Sequence, residues 1–428
     1  VVRPTPLLSL LILLTACTDT TPKSTDTGPT NNDGTDGGVG TDGTDGSDGT
    51  DGEDGGDGTD GSDGTDGTDT PTEGCRAEPR PADADRMVIV SFRYNDDYDH
   101  VDSWGVFRLT ADGTLTTTGE RLEVDGATTS RPVFTPDGSL ALIAGDDGDL
   151  GVVAFEDDTA TVVEAHWNPG FWASAVAMDP SGERAWVINQ NWEDSDGGLY
   201  ELALDCETGL PSLVGKVAST RLALNLLPLP GRLDRAALVA VHGPEGDTGD
   251  EVMLLDIPTM DQLAGAPVFS HDDAFFADAA TTPDGGLVLV NDVSSWSGEP
   301  QGVGAVRIDG DTVTTAGFTE VYDPASLVVS PWGDAALVSS AFGDEVVVFG
   351  VDAASTDPLG PATRVSGAGV PTWMVGIDRG LLAGRVLLVE AEGIRQLQFD
   401  GAGGAESVDY YALPEGIRNV PYTLGVQP

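Results

Sequence analysis

Acids, imidazoles and indoles gather in short loops of this chain that recur roughly every 50 residues, the scale of a repeating supersecondary unit. RYNDDYDHVDSW (93–104) carries Asp96, Asp97, Asp99, His100, Asp102 and Trp104. Asp146, Asp147 and Asp149 follow, and then His166, Trp167 and Trp172. NQNWEDSDGG (189–198) adds Trp192, Glu193, Asp194 and Asp196, and VHGPEGDTGDE (241–251) adds His242, Glu245, Asp247 and Asp250. His271, Asp272, Asp273, Phe275 and Phe276 complete the series. Carboxylates interleaved with aromatic faces can hold a cation, a sugar or a basic peptide. Asp194-Ser195-Asp196-Gly197 is half of an Asp-x-Asp-x-Asp-Gly calcium loop, which makes calcium a candidate ion there. Asp99 with His100, and His242 with Glu245, could pair an acid with a base. The chain has no Gly-x-Ser-x-Gly elbow, no His-Glu-x-x-His and no phosphate loop, so no residue is assigned a catalytic role.

A repeat positions these loops. VFTPDGSLALIAG (133–145) returns as VAMDPSGERAWVINQ (176–190), ATTPDGGLVLVND (280–292) and VVSPWGDAALVSS (328–340). Looser copies occupy 226–243 and 374–393. Each copy places a Pro/Asp/Gly turn between two apolar runs, which makes a hairpin. A polar loop, a second apolar run such as GVVAFE or EVVVFGV, and a more polar third run follow. Four short antiparallel strands per unit make a propeller blade. MVIVSFR (87–93) matches the second strand of a blade and SWGVFRL (103–109) the third, so the first unit lacks its innermost strand. VPYTLGVQP (420–428) matches that missing strand. The sequence therefore predicts an all-β, seven-bladed β-propeller over 75–428, closed by its C-terminal strand. Such closure pairs the edge that blade 1 would otherwise leave open, and the body reads as a monomer.

From about residue 86 to 428 the Pro-Asp-Gly turns and the strand pattern resemble bacterial lactonase-like and YVTN-type seven-bladed propellers, although the YVTN tetrapeptide itself is absent. The resemblance implies a fold. It carries over no functional residue, because only structural positions match. In a ring of this kind the turns after the innermost strands share one face. The loops between second and third strands share the other with the inter-blade loops. The acidic and aromatic loops above all fall on that second face.

The N-terminal residues carry a different message. Arg3, the apolar run Leu7 to Leu14, and Leu14-Thr15-Ala16-Cys17 fit a secretory signal, since the run is too short to span a bilayer. Leu-Thr-Ala-Cys resembles the lipobox of bacterial lipoproteins and makes residues 1–17 a signal with lipidation at Cys17. Cys75 and Cys206 are then left to pair as a disulfide in an oxidising compartment. Residues 18–74 run as near-repeats of Thr-Asp-Gly and Ser-Asp-Gly, with 16 acids and one Lys. They bury too little to offset their ordering entropy and read as a disordered tether. An acid at every third position does not match the alternating ligands of a calcium loop.

The net charge of −52, from 20 basic and 72 acidic residues, excludes nucleic acid as a partner, because phosphate contacts need clustered Lys and Arg. The sequence thus reads as a cell-envelope lipoprotein, with Thr18 favouring the outer membrane or cell surface. Its acidic loop face would bind a basic protein, a glycan or a cationic ligand, with no organic cofactor. A lactonase-like hydrolase with its site at the channel mouth is the alternative.

Overall fold

Thr135-Pro136-Asp137-Gly138 shows how blades 2 and 5 begin. The Asp137 carboxylate accepts from the Thr135 hydroxyl at 2.6 Å and from the Ser139 amide at 2.9 Å. Gly138 takes φ 72°, which an L side chain rarely adopts. The same device recurs at Thr282, Asp284 and Gly285, with Thr282 donating to Asp284 at 2.6 Å. Each such turn sends the chain from an innermost strand back along a second one.

The computed structural model describes residues 74–428 except 95–99, 125–130, 146–147, 190–196, 220, 243–248, 270–275, 294–299, 341–343, 366–370 and 414–419. Residues 71–428 form one unit, distinct from 1–70. The described residues make seven four-stranded antiparallel sheets, the blades of a propeller. The innermost strands of blades 1 to 7 are Val420–Val426, Val133–Phe134, Ala173–Met178, Arg221–Leu229, Phe276–Thr281, Pro324–Val329 and Pro371–Gly376. Among the described residues no helix is long and apolar enough to cross a membrane.

Blade 1 takes its innermost strand from the C-terminus. Val88 sits opposite Val426 and Val90 opposite Leu424. Gln427 fastens the join, since its Oε1 accepts the Met87 amide at 2.8 Å and its Nε2 donates to the Gly138 carbonyl of blade 2 at 2.7 Å.

The second strands are buried on both faces, as in Leu140–Ala144 and Leu287–Asp292, whereas the outermost strands are largely exposed between their ends, as in Leu115–Leu122. The apolar side chains meet between blades. Val239, Leu254 and Ala266 of blade 4 pack with Val288, Val290 and Val306 of blade 5. Each buried aliphatic contributes about 1.5–3 kcal/mol, so every blade depends on its neighbours.

Trp104 corrects the sequence reading. It was expected on the loop face among ligand-binding residues, but it is fully buried with Ile89, Val106, Ile143 and Val153 between blades 1 and 2. Strand alternation turns it inward, and burying its large ring outweighs its place beside a polar loop.

Residues 74–85, whose Cys75 the sequence pairs with Cys206, lie along the turn face. Cys75 is disulfide-bonded to Cys206 in blade 3, with the Cα atoms 6.0 Å apart. The Arg80 amide donates to Pro136 of blade 2, and the Leu381 amide of blade 7 donates to Asp83.

Candidate functional site

The innermost strands run from the loop face to the turn face, and most of them slip register near their loop-face ends. Breaks fall between Ala173 and Ala175, Ala223 and Asn225, Phe276 and Ala279, Pro324 and Ser326, and Pro371 and Met374. A bulge frees backbone amides and re-aims side chains, and bulges are common beside active sites. Here the freed amides are met by polar side chains of the second strands. Asn291 Oδ1 accepts from Ala277 at 3.1 Å and Asp278 at 2.6 Å, Ser339 Oγ accepts from Ser326 at 3.0 Å, and Ser91 Oγ accepts from Thr423 at 3.0 Å.

Side chains of the bulged strands then link blade to blade. Asp278 of blade 5 accepts the Leu327 amide of blade 6 at 2.8 Å. Ser326 of blade 6 accepts the Met374 amide of blade 7 at 3.1 Å. Thr372 of blade 7 donates to the Tyr422 carbonyl of blade 1 at 2.9 Å.

Arg131 completes this belt from the opposite side. It stands two residues before the innermost strand of blade 2, at its loop-face end. Its guanidinium pairs with Asp278 Oδ2, donates to Ser326 Oγ at 2.9 Å and lies 5.3 Å from the Trp373 ring centroid. Blades 2 and 5 are three apart in a ring of seven, so this side chain reaches across the channel mouth. Asp278 is almost wholly buried, and burial pushes its carboxyl above the ordinary value. The Arg131 charge and the Leu327 and Ala279 amides oppose that rise. Arg131 Nε is buried without a partner among the described residues, although 28% of the side chain is exposed. A cation held this firmly above an indole can receive a carbonyl, a carboxylate or a developing oxyanion.

The residues singled out in the sequence do not gather there. His166 is exposed, with Nδ1 3.9 Å from Asp149 Oδ2, while Asp149 also accepts from Asn168 at 2.7 Å. Trp167 is half-buried against the core shared by blades 2 and 3. Both lie on an outermost strand, Thr159–Trp167, three strand spacings or roughly 14 Å from the channel. His100 opens the third strand of blade 1, and Asp102 follows it on that strand. His242 ends the second strand of blade 4, paired with Arg221 of the innermost strand. The side chains of His100, Asp102 and His242 lie outside the described residues, as do Asp96, Asp97, Asp99, Trp192, Glu193, Asp194, Asp196 and Glu245. Among the described residues, ligand-like atoms of Cys75, Glu183 and Cys206 come within 4.8 Å of one another, but the disulfide already uses both sulfurs.

Sequence reasoning missed Arg131, Asp278, Ser326 and Trp373. One signal was available: Asp278 is the one acid inside any innermost strand of the described residues.

Several solved structures share the fold. A periplasmic gluconolactonase of Pseudomonas aeruginosa matches 81% of this chain and 99% of its own, with TM-score 0.58 and 13% identity. A putative 6-phosphogluconolactonase of Bacteroides uniformis matches 80% of this chain and 99% of its own, with TM-score 0.56 and 12% identity. A hypothetical selenium-binding protein of Sulfolobus tokodaii matches 82% and 94%, with TM-score 0.60 and 10% identity. At these identities the likeness is one of fold. No family model matches the chain, and no curated protein does.

Proposed function

We propose that the channel mouth binds and opens a small lactone of the aldonic-acid class. The observation that carries this reading is the Arg131 guanidinium, fixed by Asp278 and Ser326 and facing Trp373. Two of the structures sharing the fold bear lactonase names, which supports the choice of substrate class. In this reading the sugar ring rests on the Trp373 face and the lactone carbonyl points to Arg131. Water adds to the carbonyl carbon, the ring C–O bond breaks, and the ring oxygen takes a proton. Negative charge grows on the carbonyl oxygen, where a preorganised guanidinium stabilises the transition state more than the ground state. The base comes from the loop-face acids and imidazoles. His242 is the first to substitute, because its backbone pairs with an innermost strand. The hydroxy acid product releases a proton at neutral pH, so a pH-stat follows the reaction directly. A panel of aldonolactones should be consumed faster than their spontaneous opening, and Arg131→Gln should return the rate to background. No acceleration with any member of the panel would refute this reading.

We further infer that the body is exported and held in the envelope by lipid on Cys17. Leu14-Thr15-Ala16-Cys17 after an apolar run supports this, and so does the Cys75–Cys206 disulfide, a bond that persists in oxidising compartments. Replacing Cys17 with Ser should move the protein from the membrane fraction to the soluble one. Unchanged fractionation of a normally matured variant would refute the anchor. If the lactone panel fails, display of the acidic loop face to a cationic partner is the reading that remains.

A further inference from the structure

We propose that the Cys75–Cys206 bridge is a thiol-exchange site, whose opening frees residues 74–76 from blade 3. It does not depend on the lactone reading, because it concerns the opposite face of the ring.

Three observations converge on it. Both cysteines are exposed, so an external thiol can reach the bond. Arg76 is only 8% exposed, and its Nη1 lies 3.5 Å from Cys75 Sγ. Its guanidinium is fixed there by donating to the carbonyls of Asp205 at 3.2 Å and Cys206 at 2.9 Å. On the other side, Glu183 Oε1 accepts the Cys75 amide at 2.8 Å and sits 3.7 Å from Cys206 Sγ. The two sulfurs therefore face opposite charges. A cation beside a sulfur stabilises its thiolate, and an anion beside a sulfur disfavours it. Cys75 is the better leaving group, and Cys206 is the sulfur to be attacked.

The reaction partner is a dithiol, either a small molecule or a protein with neighbouring thiols. Its thiolate attacks Cys206 Sγ and forms a mixed disulfide. The electron pair of the broken S–S bond leaves on Cys75 as a thiolate beside Arg76. The partner's second thiolate then attacks its own bridged sulfur. That closes the partner's disulfide and expels Cys206 as a thiolate, which takes a proton. Two electrons pass from the dithiol to the protein.

The consequence follows from what the bridge ties together. Residues 74–86 touch blade 3 through Cys75 and Arg76, blade 2 through Arg80, blade 1 through Asp85 and blade 7 through Asp83 and Arg86. Among these contacts the disulfide is the covalent one. Breaking it leaves hydrogen bonds alone to hold the segment to blade 3.

The test uses the full chain, with any free thiol capped beforehand. Wild type is treated briefly with reduced glutathione, trapped with alkylating agent and mapped by peptide mass spectrometry. The adduct should sit on Cys206 in roughly tenfold excess over Cys75. Reduction by dithiothreitol should be slowed about tenfold by Arg76→Gln, kept near wild type by Arg76→Lys, and accelerated by Glu183→Gln. A purely structural staple would behave differently, because loosening it from either side would speed its reduction. Acceleration by Arg76→Gln, or adducts chiefly on Cys75, would overturn the exchange site. In wild type, trypsin cleavage at the Arg76–Ala77 bond should rise sharply after reduction. Unchanged cleavage would overturn the release of residues 74–76.

Discussion

At the turn face, Thr135 meets Asp137 and Thr282 meets Asp284 in the same hydroxyl-to-carboxylate contact, and Ser330 meets Asp334 in a variant of it four residues on. At the channel mouth, Asp278, Ser326 and Trp373 occupy the corresponding level of three successive blades, and no two are alike. The turns are solved once and copied, because each has only to reverse a strand. The mouth is solved blade by blade, because seven strands converge on one axis and a shared geometry there would repeat one side chain seven times. Copied chemistry therefore marks structure in this ring, and departure from the copy marks the candidate site.

The severest way to break that distinction is to remove the segment on which both ends depend. Deleting residues 420–428 takes away buried Thr423, Leu424 and Gln427 and leaves blade 1 with an open edge. Cooperative unfolding should disappear in calorimetry; an unchanged transition would mean that closure is not structural. Asp278→Ala comes next. It strands Arg131 and the Leu327 amide, and breaking a buried pair in this way costs about 3–5 kcal/mol. Urea unfolding should show that loss together with loss of activity. Asp137→Ala, at a copied turn, gives up hydrogen bonds to Thr135 and Ser139 and should cost about 1–2 kcal/mol with activity intact. A reversed order of the two costs would erase the contrast.

Acid titration sharpens it further. The Asp284 carboxyl is held below its ordinary value chiefly by the Thr282 hydroxyl and the Gly286 amide, and its stabilisation is lost only as pH falls through that lowered value. Asp112, Asp205 and Asp400 are lowered in the same sense by the hydroxyls and amides of their own turns. Asp278 has the opposite sign: burial raises it, so it takes up a proton at higher pH than these turn acids do. On acidification from neutral pH, activity should fade before circular dichroism reports unfolding. Simultaneous loss would mean that Asp278 titrates with the fold and not ahead of it.

The ring was legible because its information is periodic. Pro136-Asp137-Gly138 and its copies announce the hairpins, and VPYTLGVQP announces the closing strand by resembling what blade 1 lacks. Arg131 was not legible, because nothing near it in sequence indicates that the chain will return 147 residues later with Asp278 across a channel. Trp104 misled for a related reason. Its neighbours His100 and Asp102 are polar, and only strand alternation decides that its indole turns into the blade 1–2 core.

The most direct test pairs two arginines, one at each end. Arg131 bridges blades at the mouth, while Arg235 at the turn face pairs with Asp256 at 2.6 Å. Arg131→Gln and Arg235→Gln each remove one positive charge, and kcat/KM for aldonolactone opening would be measured for both against wild type. Arg131→Gln should fall to the spontaneous rate, while Arg235→Gln, which breaks ion pairs away from the mouth, should stay within about twofold of wild type in the folded protein. Equal losses in the two variants, or full activity in Arg131→Gln, would contradict the role given to Arg131.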